Sequence, residues 1–463
     1  MNTTCRTLAL TALLIAALPL GAQDTGDRKT ALTHPLVPGV LCDGINNPNW
    51  PRTLHDKHIT GFSPLTLGMT ESPRIWATMA VGGKPQWIQT VRVQGESRLL
   101  VYDERLRLIG PDGRVEWTSN ERADGLIYCG DIRSNGRDYL LVAHGPRLTL
   151  IDATTGVRDW TFAFEDAHVG LDVEVADILP NRPGLEAAVF QTHGIEACLI
   201  QFSPQGEPQL RWRVDAVTAE EWPVRSDHGA SIKLDLTESD RPMIWNVRHH
   251  RLLGFDARSG AKVNALAYSI GGGQRRNYGP WAFGSGPNGE PLVIVVGAAI
   301  EAHVHALRLD RDGPSTMAWQ QYYGTVYQTP GVVVQMVAID DVDGDGATEV
   351  VYNVRELANA FRSFLRVRDG LTGTIEVELA DQWALGAFDG VGDESATGLL
   401  VLPAPGGTMP ETGNITVHRF TGTGRIDTLA NVNNAQLWGP HVLPGQTGND
   451  VVLRQAHAGG APR

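Results

Sequence analysis

The segment Asp152-Ala-Thr-Thr-Gly-Val-Arg-Asp-Trp160 decides the fold prediction, because related versions of it return along the chain. Its Asp-to-Gly portion is typical of a tight turn, and the run that follows is typical of a short β-strand ending in Trp. Two or three short apolar runs precede each copy. The related turns are Gly110–Gly113 (followed by Trp117), Ser203–Gly206 (Trp212), Asp256–Gly260, Asp310–Gly313 (Trp319) and Asp369–Gly373.

A repeat of about 45–55 residues built from four short strands is the signature of a propeller blade. The chain is therefore predicted to be all-β and to form a β-propeller of seven four-stranded blades, with eight as an alternative. Two packed β-sandwich domains are the competing fold. Residues 442–455 resemble one or two further strands, which would complete the first blade or begin an eighth. The predicted units are residues 76–120, 125–166, 168–215, 227–277, 278–324, 330–383 and 384–441.

The two ends of the chain have a different character from the repeats. Arg6, the apolar run 8–20 and the small residue Ala22 have the pattern of a cleaved signal peptide, which predicts a secreted or periplasmic protein. The apolar run is too short to span a membrane, and we expect no membrane insertion. Residues 23–75 are predicted to be an irregular arm, residues 76–455 the propeller, and residues 456–463 a disordered tail.

Composition narrows the possible partners. The chain has 463 residues and a net charge of −13, which argues against a general nucleic-acid-binding protein. A locally basic cleft for an anionic ligand remains compatible with this charge. Removal of the signal peptide leaves three cysteines, too few for a disulfide scaffold, and no zinc-binding spacing is found. We expect a monomer.

Histidine, tyrosine and arginine residues concentrate at the ends of predicted strands. If the strands of a blade are labelled A to D in chain order, antiparallel pairing places the connection into A and the B–C connection on one face of the disc. The A–B and C–D connections lie on the other face. We therefore expect a cluster on the first face. His168, His228 and Tyr278 precede A strands, and His144, His193, Arg248, His249 and His303 lie near B–C junctions.

This set of side chains favours elimination over hydrolysis. A glycoside hydrolase usually needs two facing carboxyl groups, and a nucleophile elbow needs G-x-S-x-G, which the sequence lacks. In β-elimination from a uronic acid, Arg248, or Arg275 with Arg276, would neutralise the carboxylate. His or Tyr would remove the proton and protonate the leaving oxygen. The sequence leaves open which residue is base and which is acid.

The pattern over residues 125–330 resembles the propeller-fold polysaccharide lyases, and the ulvan lyases most of all. The resemblance implies a substrate containing uronic acid, with His168 and His193 flanking the scissile bond. It implies that Arg248 neutralises the uronate and that Tyr278 acts as base or acid. His228 stands where some relatives carry Tyr. The residues expected to bind the substrate are His144, His228, His249, Arg275, Arg276 and His303.

A second motif predicts a metal site. Asp341-Val-Asp343-Gly-Asp345-Gly-Ala-Thr-Glu349 offers carboxylates at alternate positions of a tight turn, and such hard oxygen ligands suit Ca²⁺. The motif is similar to the calcium loops of integrin-type and rhamnogalacturonan-lyase propellers. It is predicted to lie in an A–B connection, away from the histidines, so the ion would be structural. The segment 389–394 is a weaker version.

Two other functions remain open. The Asp152–Trp160 marker also resembles the repeats of pyrroloquinoline-quinone propellers, although no dedicated cofactor floor is recognisable. The main alternative to a lyase is a non-catalytic propeller that binds a glycan or a protein.

Overall fold

The computed structural model describes strands and turns, with no helix among the residues it covers, and none of these residues forms a helix that could cross a membrane. The described ranges are 87–165, 170–192, 194–218, 231–238, 240–248, 250–269, 280–297, 301–325, 332–356, 362–388, 398–404, 413–420, 426–444 and 449–455. The signal peptide, the arm and the tail predicted from the sequence lie outside them.

The described strands form seven antiparallel sheets, six with four strands and one with five, each paired in chain order. The first three sheets are β1 (Trp87–Val93), β2 (Glu96–Tyr102), β3 (Leu106–Ile109), β4 (Val115–Ser119); β5 (Gly125–Gly130), β6 (Tyr139–His144), β7 (Arg147–Asp152), β8 (Arg158–Ala163); and β9 (Leu171–Ala176), β10 (Glu186–Gln191), β11 (Glu196–Gln201), β12 (Gln209–Asp215). The fourth and fifth are β13 (Ser231–Asp235), β14 (Met243–Arg248), β15 (Arg251–Asp256), β16 (Lys262–Ala267); and β17 (Trp281–Ser285), β18 (Pro291–Gly297), β19 (Glu301–Arg308), β20 (Thr316–Thr325). The last two are β21 (Val332–Asp340), β22 (Glu349–Glu356), β23 (Ser363–Asp369), β24 (Ile375–Ala380); and β25 (Gln382–Phe388), β26 (Gly398–Pro403), β27 (Gly413–Phe420), β28 (Ile426–Pro444), β29 (Asn449–Gln455).

This arrangement is a β-propeller, as the repeats predict. The first strands of successive sheets contact one another, β1 with β5, β5 with β9, β9 with β13, β17 with β21 and β21 with β25. A hydrogen bond of 2.7 Å from Ile232 N to Asp172 Oδ2 joins β9 to β13. Each sheet is therefore a blade whose first strand is innermost, and each predicted repeat corresponds to one sheet.

The apolar core lies between neighbouring sheets, because successive side chains of a strand point to opposite faces. In β6, Leu140 packs towards the first sheet and Leu141 towards the third. The third and fourth sheets meet through Phe190 and Phe255, whose ring centroids are 5.4 Å apart in an edge-to-face contact. Strands such as β10 are buried at every position because both of their faces are covered.

Three tryptophans of the repeat each connect one blade to the next. The indole Nε1 of Trp117 donates to Ala153 O at 2.9 Å, across the boundary between the first two sheets. Trp212 donates to Ala257 O at 2.9 Å and Trp319 to Gly370 O at 2.8 Å in the same way. Gly156 has a φ of +69° in the receiving turn, and a Cβ there would lie 2.6 Å from the Trp117 ring. The recurring Gly and Trp in the sequence are thus the two halves of one inter-blade contact.

The C-terminal strands form neither of the arrangements predicted for them. Instead of completing the first blade or beginning an eighth, β29 pairs with β28 as the fifth strand of the seventh sheet. The long β28 makes this possible, because its first part pairs with β27 and its last part pairs with β29.

Candidate functional site

In the second, third and fifth sheets, hydrogen bonds join the connection into the A strand to the B–C end of the same sheet, and we call the face they form the B–C face. Asp124 lies just before β5, and its Oδ2 accepts from Gly145 N at 2.7 Å. At the fifth sheet, Val296 N donates to Pro280 O, just before β17, at 3.0 Å. At the fourth sheet, Tyr268 N, in the connection that leaves β16, donates to His250 O at 2.9 Å, so this connection reaches the same face. The placement of these connections on one face, inferred from strand direction, is confirmed.

The third sheet has the arrangement most relevant to the predicted chemistry. Thr192 N donates to Gly170 O at 2.9 Å, so the segment before β9 runs beside the turn between β10 and β11. In the sequence, His168 stands two residues before Gly170, and His193 directly follows Thr192. The bond brings the two segments that carry the predicted histidines into contact.

Seven of the predicted site residues lie outside the described residues, so their roles stay predictions. They are His168, His193, His228, His249, Arg275, Arg276 and Tyr278. The structure describes the remaining members, which are His144, Arg248, His303 and the four carboxylates of the acidic loop.

Arg248 ends β14 and is only 3% exposed. Its Nη2 contacts three main-chain oxygens of the neighbouring sheet, Gln191 O at 3.1 Å, Thr192 O at 3.3 Å and Gly194 O at 2.9 Å. Burial lowers the pKa of Arg248 to about 9. These contacts occupy Nη2 with the protein's own main chain, whereas the resemblance to lyases assigns the residue to a substrate carboxylate.

The turn that receives Arg248 is also braced from within. The Gln191 side chain donates to Glu196 Oε2 at 3.1 Å and accepts from Glu196 N at 3.1 Å. A Cβ at Gly194 would lie 1.7 Å from Gln191 Oε1, so the turn closes tightly over this side chain. The turn that carries His193 is therefore fixed on both sides of the histidine.

The other two described histidines are held in different ways. His144 at the end of β6 pairs through Nδ1 with Asp124 Oδ1 at 2.9 Å and is partly exposed on the B–C face. His303 in β19 is fully buried, with its ring stacked on His305 at a centroid distance of 5.1 Å. A ligand contact by His303, predicted from its position, would require this ring to become exposed.

Sequence reasoning missed three buried polar side chains near these residues. His305 is fully buried between His303 and Tyr268, and burial holds its pKa well below the usual value. Glu174 and Lys233 are buried on the innermost strands β9 and β13, and the Lys233 ammonium lies 5.3 Å from the centre of the Trp281 ring. In the sequence, each of the three could have been recognised as a charged or imidazole side chain in the middle of an otherwise apolar strand.

Two connections that begin or end at the fourth sheet have a basic sequence, and most of their residues lie outside the described ranges. Residues 249–250 join β14 to β15 and residues 268–280 lead to β17, and together they contain His249, His250, Arg275 and Arg276 but no Asp or Glu. The connection into β13 differs, because it carries Glu220, Glu221 and Asp227. The flanking Arg251 is half-buried. In a chain with a net charge of −13, this local excess of basic residues favours an anionic ligand.

The acidic loop joins β21 to β22 and is therefore an A–B connection, on the face opposite the B–C connections. Asp341, Asp343 and Asp345 each offer a carboxylate oxygen, and these oxygens lie within 4.8 Å of one another. Asp341 shapes the turn by accepting from Gly344 N at 2.8 Å and from Gly346 N at 3.0 Å. The predicted fourth ligand, Glu349, is buried, and its Oε2 accepts from Val342 N at 2.8 Å.

The electrostatics of this loop suit a cation. Burial raises the pKa of Glu349 to about 10, and repulsion from Asp343 and Asp341 adds to the effect. Burial also raises the pKa of Glu376 to about 7, again with a contribution from Asp343. Several carboxylates lie close together, so their negative charges repel one another. Ca²⁺ binds carboxylate oxygens at 2.3–2.6 Å. The residues present therefore fit a calcium ion held by Asp341, Asp343 and Asp345.

No protein-family model and no curated protein sequence matches the chain. Among solved structures it is similar to BamB from Moraxella catarrhalis, at 11% identity and a TM-score of 0.41 over 76% of this chain and 88% of that one. The Cps50 (Swd1) β-propeller domain of Myceliophteria thermophila gives 14% identity and a TM-score of 0.35 over 78% and 99% of the two chains. The WD40 domain of SCAP from fission yeast gives 10% and 0.37 over 80% and 97%. These values are too low to assign a family or an activity.

Proposed function

We propose that the protein is a non-catalytic β-propeller that binds an acidic polysaccharide through the B–C face. The observation that carries the proposal is the sequence of two connections, residues 249–250 and 268–280, which hold two Arg and two His residues without an acidic residue, whereas the connection into β13 carries Glu220, Glu221 and Asp227. A polymer of uronic acids presents carboxylates at regular intervals, and Arg side chains recognise them through charge-assisted hydrogen bonds.

Arg248, predicted to be catalytic, and His144 and His303, predicted to bind the substrate, are the described members of the predicted histidine and arginine site. Nη2 of Arg248 contacts main-chain oxygens, His303 is stacked inside the protein, and His144 is paired with Asp124. A binding role needs none of these three to reach a reacting atom. It needs only the basic residues of the two connections.

Binding measurements with charge-matched polymers test this proposal. We expect polygalacturonate and ulvan to bind the wild-type protein and neutral dextran not to bind. The double variant Arg275→Gln/Arg276→Gln should lower the affinity for polygalacturonate at least tenfold. The control Arg258→Gln removes a charge from the C–D connection of the same sheet and should leave the affinity unchanged. Equal affinities for charged and neutral polymers would disprove the proposal.

A uronate-polymer lyase is the second candidate, favoured by the bond between Thr192 and Gly170 that joins the segments carrying His193 and His168. A lyase would release products with the ultraviolet absorbance of unsaturated uronate. The variants His193→Ala and Tyr278→Phe would then lose turnover but keep binding. Lack of this absorbance with polygalacturonate, ulvan and glucuronan would exclude the lyase function for these polymers and leave binding as the remaining candidate.

For the acidic loop we propose a structural Ca²⁺ ion. Its donors would be Asp341, Asp343 and Asp345, with Glu349 behind them supporting the loop through Val342 N. Calcium should raise the melting temperature of the wild-type protein, and Asp343→Asn should reduce that rise. Addition of calcium should not change the polygalacturonate affinity, because the loop lies on the opposite face. An equal rise in both proteins would contradict this assignment.

A further inference from the structure

We infer that Arg248 is a positioning residue. Arg248 belongs to the fourth sheet, and its side chain fixes the position of the turn at residues 191–196 in the third sheet. The inference rests on the proposed function in one respect, because this turn lies on the face assigned to the ligand. It gives Arg248 a role inside the protein in place of a contact with a ligand carboxylate.

The geometry of the guanidinium carries the inference. Nη2 has two hydrogen atoms and lies 2.9–3.3 Å from three carbonyl oxygens, so at least one hydrogen is shared between two acceptors. The three acceptors belong to Gln191, Thr192 and Gly194, which surround His193 in the sequence. All three carbonyl groups converge on one terminal nitrogen, and the Lys ammonium is one bond closer to Cα than Nη2, so a Lys side chain falls short of this position.

The burial of Arg248 makes these bonds strong. The residue is 3% exposed, and hydrogen bonds that involve a charged donor are roughly twice as strong as neutral ones. The acceptors lie 54–57 residues before Arg248 in the chain, so the contact crosses a blade boundary. The position of the third-sheet turn therefore depends on the neighbouring sheet as well as on its own hairpin.

Other contacts restrain the same turn from different directions. The Gln191 side chain donates a hydrogen bond to Glu196 within the turn, and Thr192 N donates to Gly170 O. Arg248 provides the restraint from the side of the fourth sheet, and His249 directly follows it in the sequence. A ligand that engages the fourth-sheet connection would thus be coupled through Arg248 to the turn that carries His193.

Hydrogen exchange in the ligand-free protein tests the inference without reference to any ligand. Arg248→Lys keeps the positive charge but brings the terminal nitrogen one bond closer to Cα, away from the three carbonyl groups, and we expect amides 192–196 to exchange at least tenfold faster than in the wild type. Arg258→Lys, in the C–D connection of the same sheet, should not change them. Peptides from residues 332–356 report on global unfolding. Equal exchange of residues 192–196 in Arg248→Lys and the wild type would overturn the inference.

A second variant covers the case in which replacement of Arg248 disrupts folding. Gln191→Ala removes the internal brace of the same turn without touching the buried charge. If the turn is the element that matters, Gln191→Ala should accelerate exchange in residues 192–196 and weaken polygalacturonate binding severalfold. Faster exchange with unchanged binding would show that the turn has no part in recognition and would overturn the functional side of the inference.

The salt dependence of binding separates positioning from direct contact. A residue that neutralises one charge of a polyanion contributes roughly 0.7–0.9 to the slope of log K against log salt concentration. We expect both Arg248→Met and Gln191→Ala to weaken polygalacturonate binding and to leave this slope at its wild-type value. A slope reduced in Arg248→Met alone would identify a direct contact and refute the inference. Lack of binding by the wild type would refute the proposed function, while the exchange experiment would still decide the role of Arg248.

Discussion

At the residue scale, single side chains tie neighbouring blades together through main-chain acceptors. Trp212 donates its indole N–H to Ala257 O, and its ring lies against the turn at Gly260, where a Cβ would come within 2.8 Å of the ring. Arg248 does the same on the opposite face with three carbonyl groups. In both places the donor and acceptor belong to adjacent sheets, so these residues fix how the sheets sit beside each other.

The tryptophan contact gives a stability prediction. Trp212→Phe keeps an aromatic ring but leaves Ala257 O without this donor, and an unsatisfied buried polar group costs about 1–3 kcal/mol. We expect a loss of that size in the free energy of unfolding measured with urea. Trp160→Phe is the matched control, because Trp160 contributes ring contacts with Phe162 and Phe202. Equal losses in the two variants would contradict the role assigned to the indole N–H.

A buried carboxyl group gives a pH prediction. Burial raises the pKa of Glu186 from 4.5 to about 7, although its Oε2 accepts from Ile178 N and Leu179 N. The folded state therefore holds this proton more tightly than the unfolded chain does. The stability contributed by this difference is present below pH 4.5 and is lost as the pH rises to about 7. Glu186→Gln cannot ionise, so its unfolding free energy should depend less on pH between 5 and 8. Parallel pH profiles for the two proteins would contradict this account.

At the element scale, the connections on the A–B face carry an ion-pair network between the fourth and fifth sheets. Arg311 in the C–D connection of the fifth sheet donates through Nε to Asp235 Oδ2 at 2.9 Å and through Nη2 to Thr237 Oγ1 at 2.8 Å. Asp235 ends β13 and is almost fully buried. The A–B connection of one blade is thus held by the C–D connection of the next.

Removal of this arginine should be costly. Arg311→Met leaves the Asp235 carboxylate buried without its main cation, and breaking one side of a buried pair costs about 3–5 kcal/mol. We expect a lower urea midpoint and a loss of unfolding free energy of that order. Arg241→Met breaks the exposed pair with Asp312 on the same connections and should change the midpoint little. If the two variants were equally stable, the network would not be a structural element.

The elements show what could and could not be predicted from the sequence. The turns Asp152–Gly156 and Asp256–Gly260 are local, so their residues reveal the blade repeat without knowledge of tertiary contacts. The face assigned to each connection followed from strand direction, which chain order determines. The partners of Arg248 could not be predicted, because they lie 54–57 residues away on another sheet and are main-chain atoms that leave no sequence signal. The pairing of β29 with β28 depends likewise on the length of β28.

At the scale of the whole molecule, the proposed calcium site and the proposed ligand site belong to opposite faces of the propeller. The A–B face carries the acidic loop with Asp341, Asp343 and Asp345, and His250 and Tyr268, from the two connections proposed to bind the ligand, lie on the B–C face. The sheets between them are packed through apolar clusters at each described blade boundary. This separation lets a structural ion and an anionic ligand occupy the same molecule without competing.

Hydrogen exchange of the wild-type protein with and without polygalacturonate tests the binding face most directly. The account predicts slower exchange in peptides that cover residues 191–196, 249–251 and 268–280 when the polymer is added. It predicts no change in peptides that cover the acidic loop at residues 341–349. Slower exchange confined to the acidic loop or to other A–B connections, or no change anywhere at a saturating polymer concentration, would contradict the claim that the B–C face binds an acidic polysaccharide.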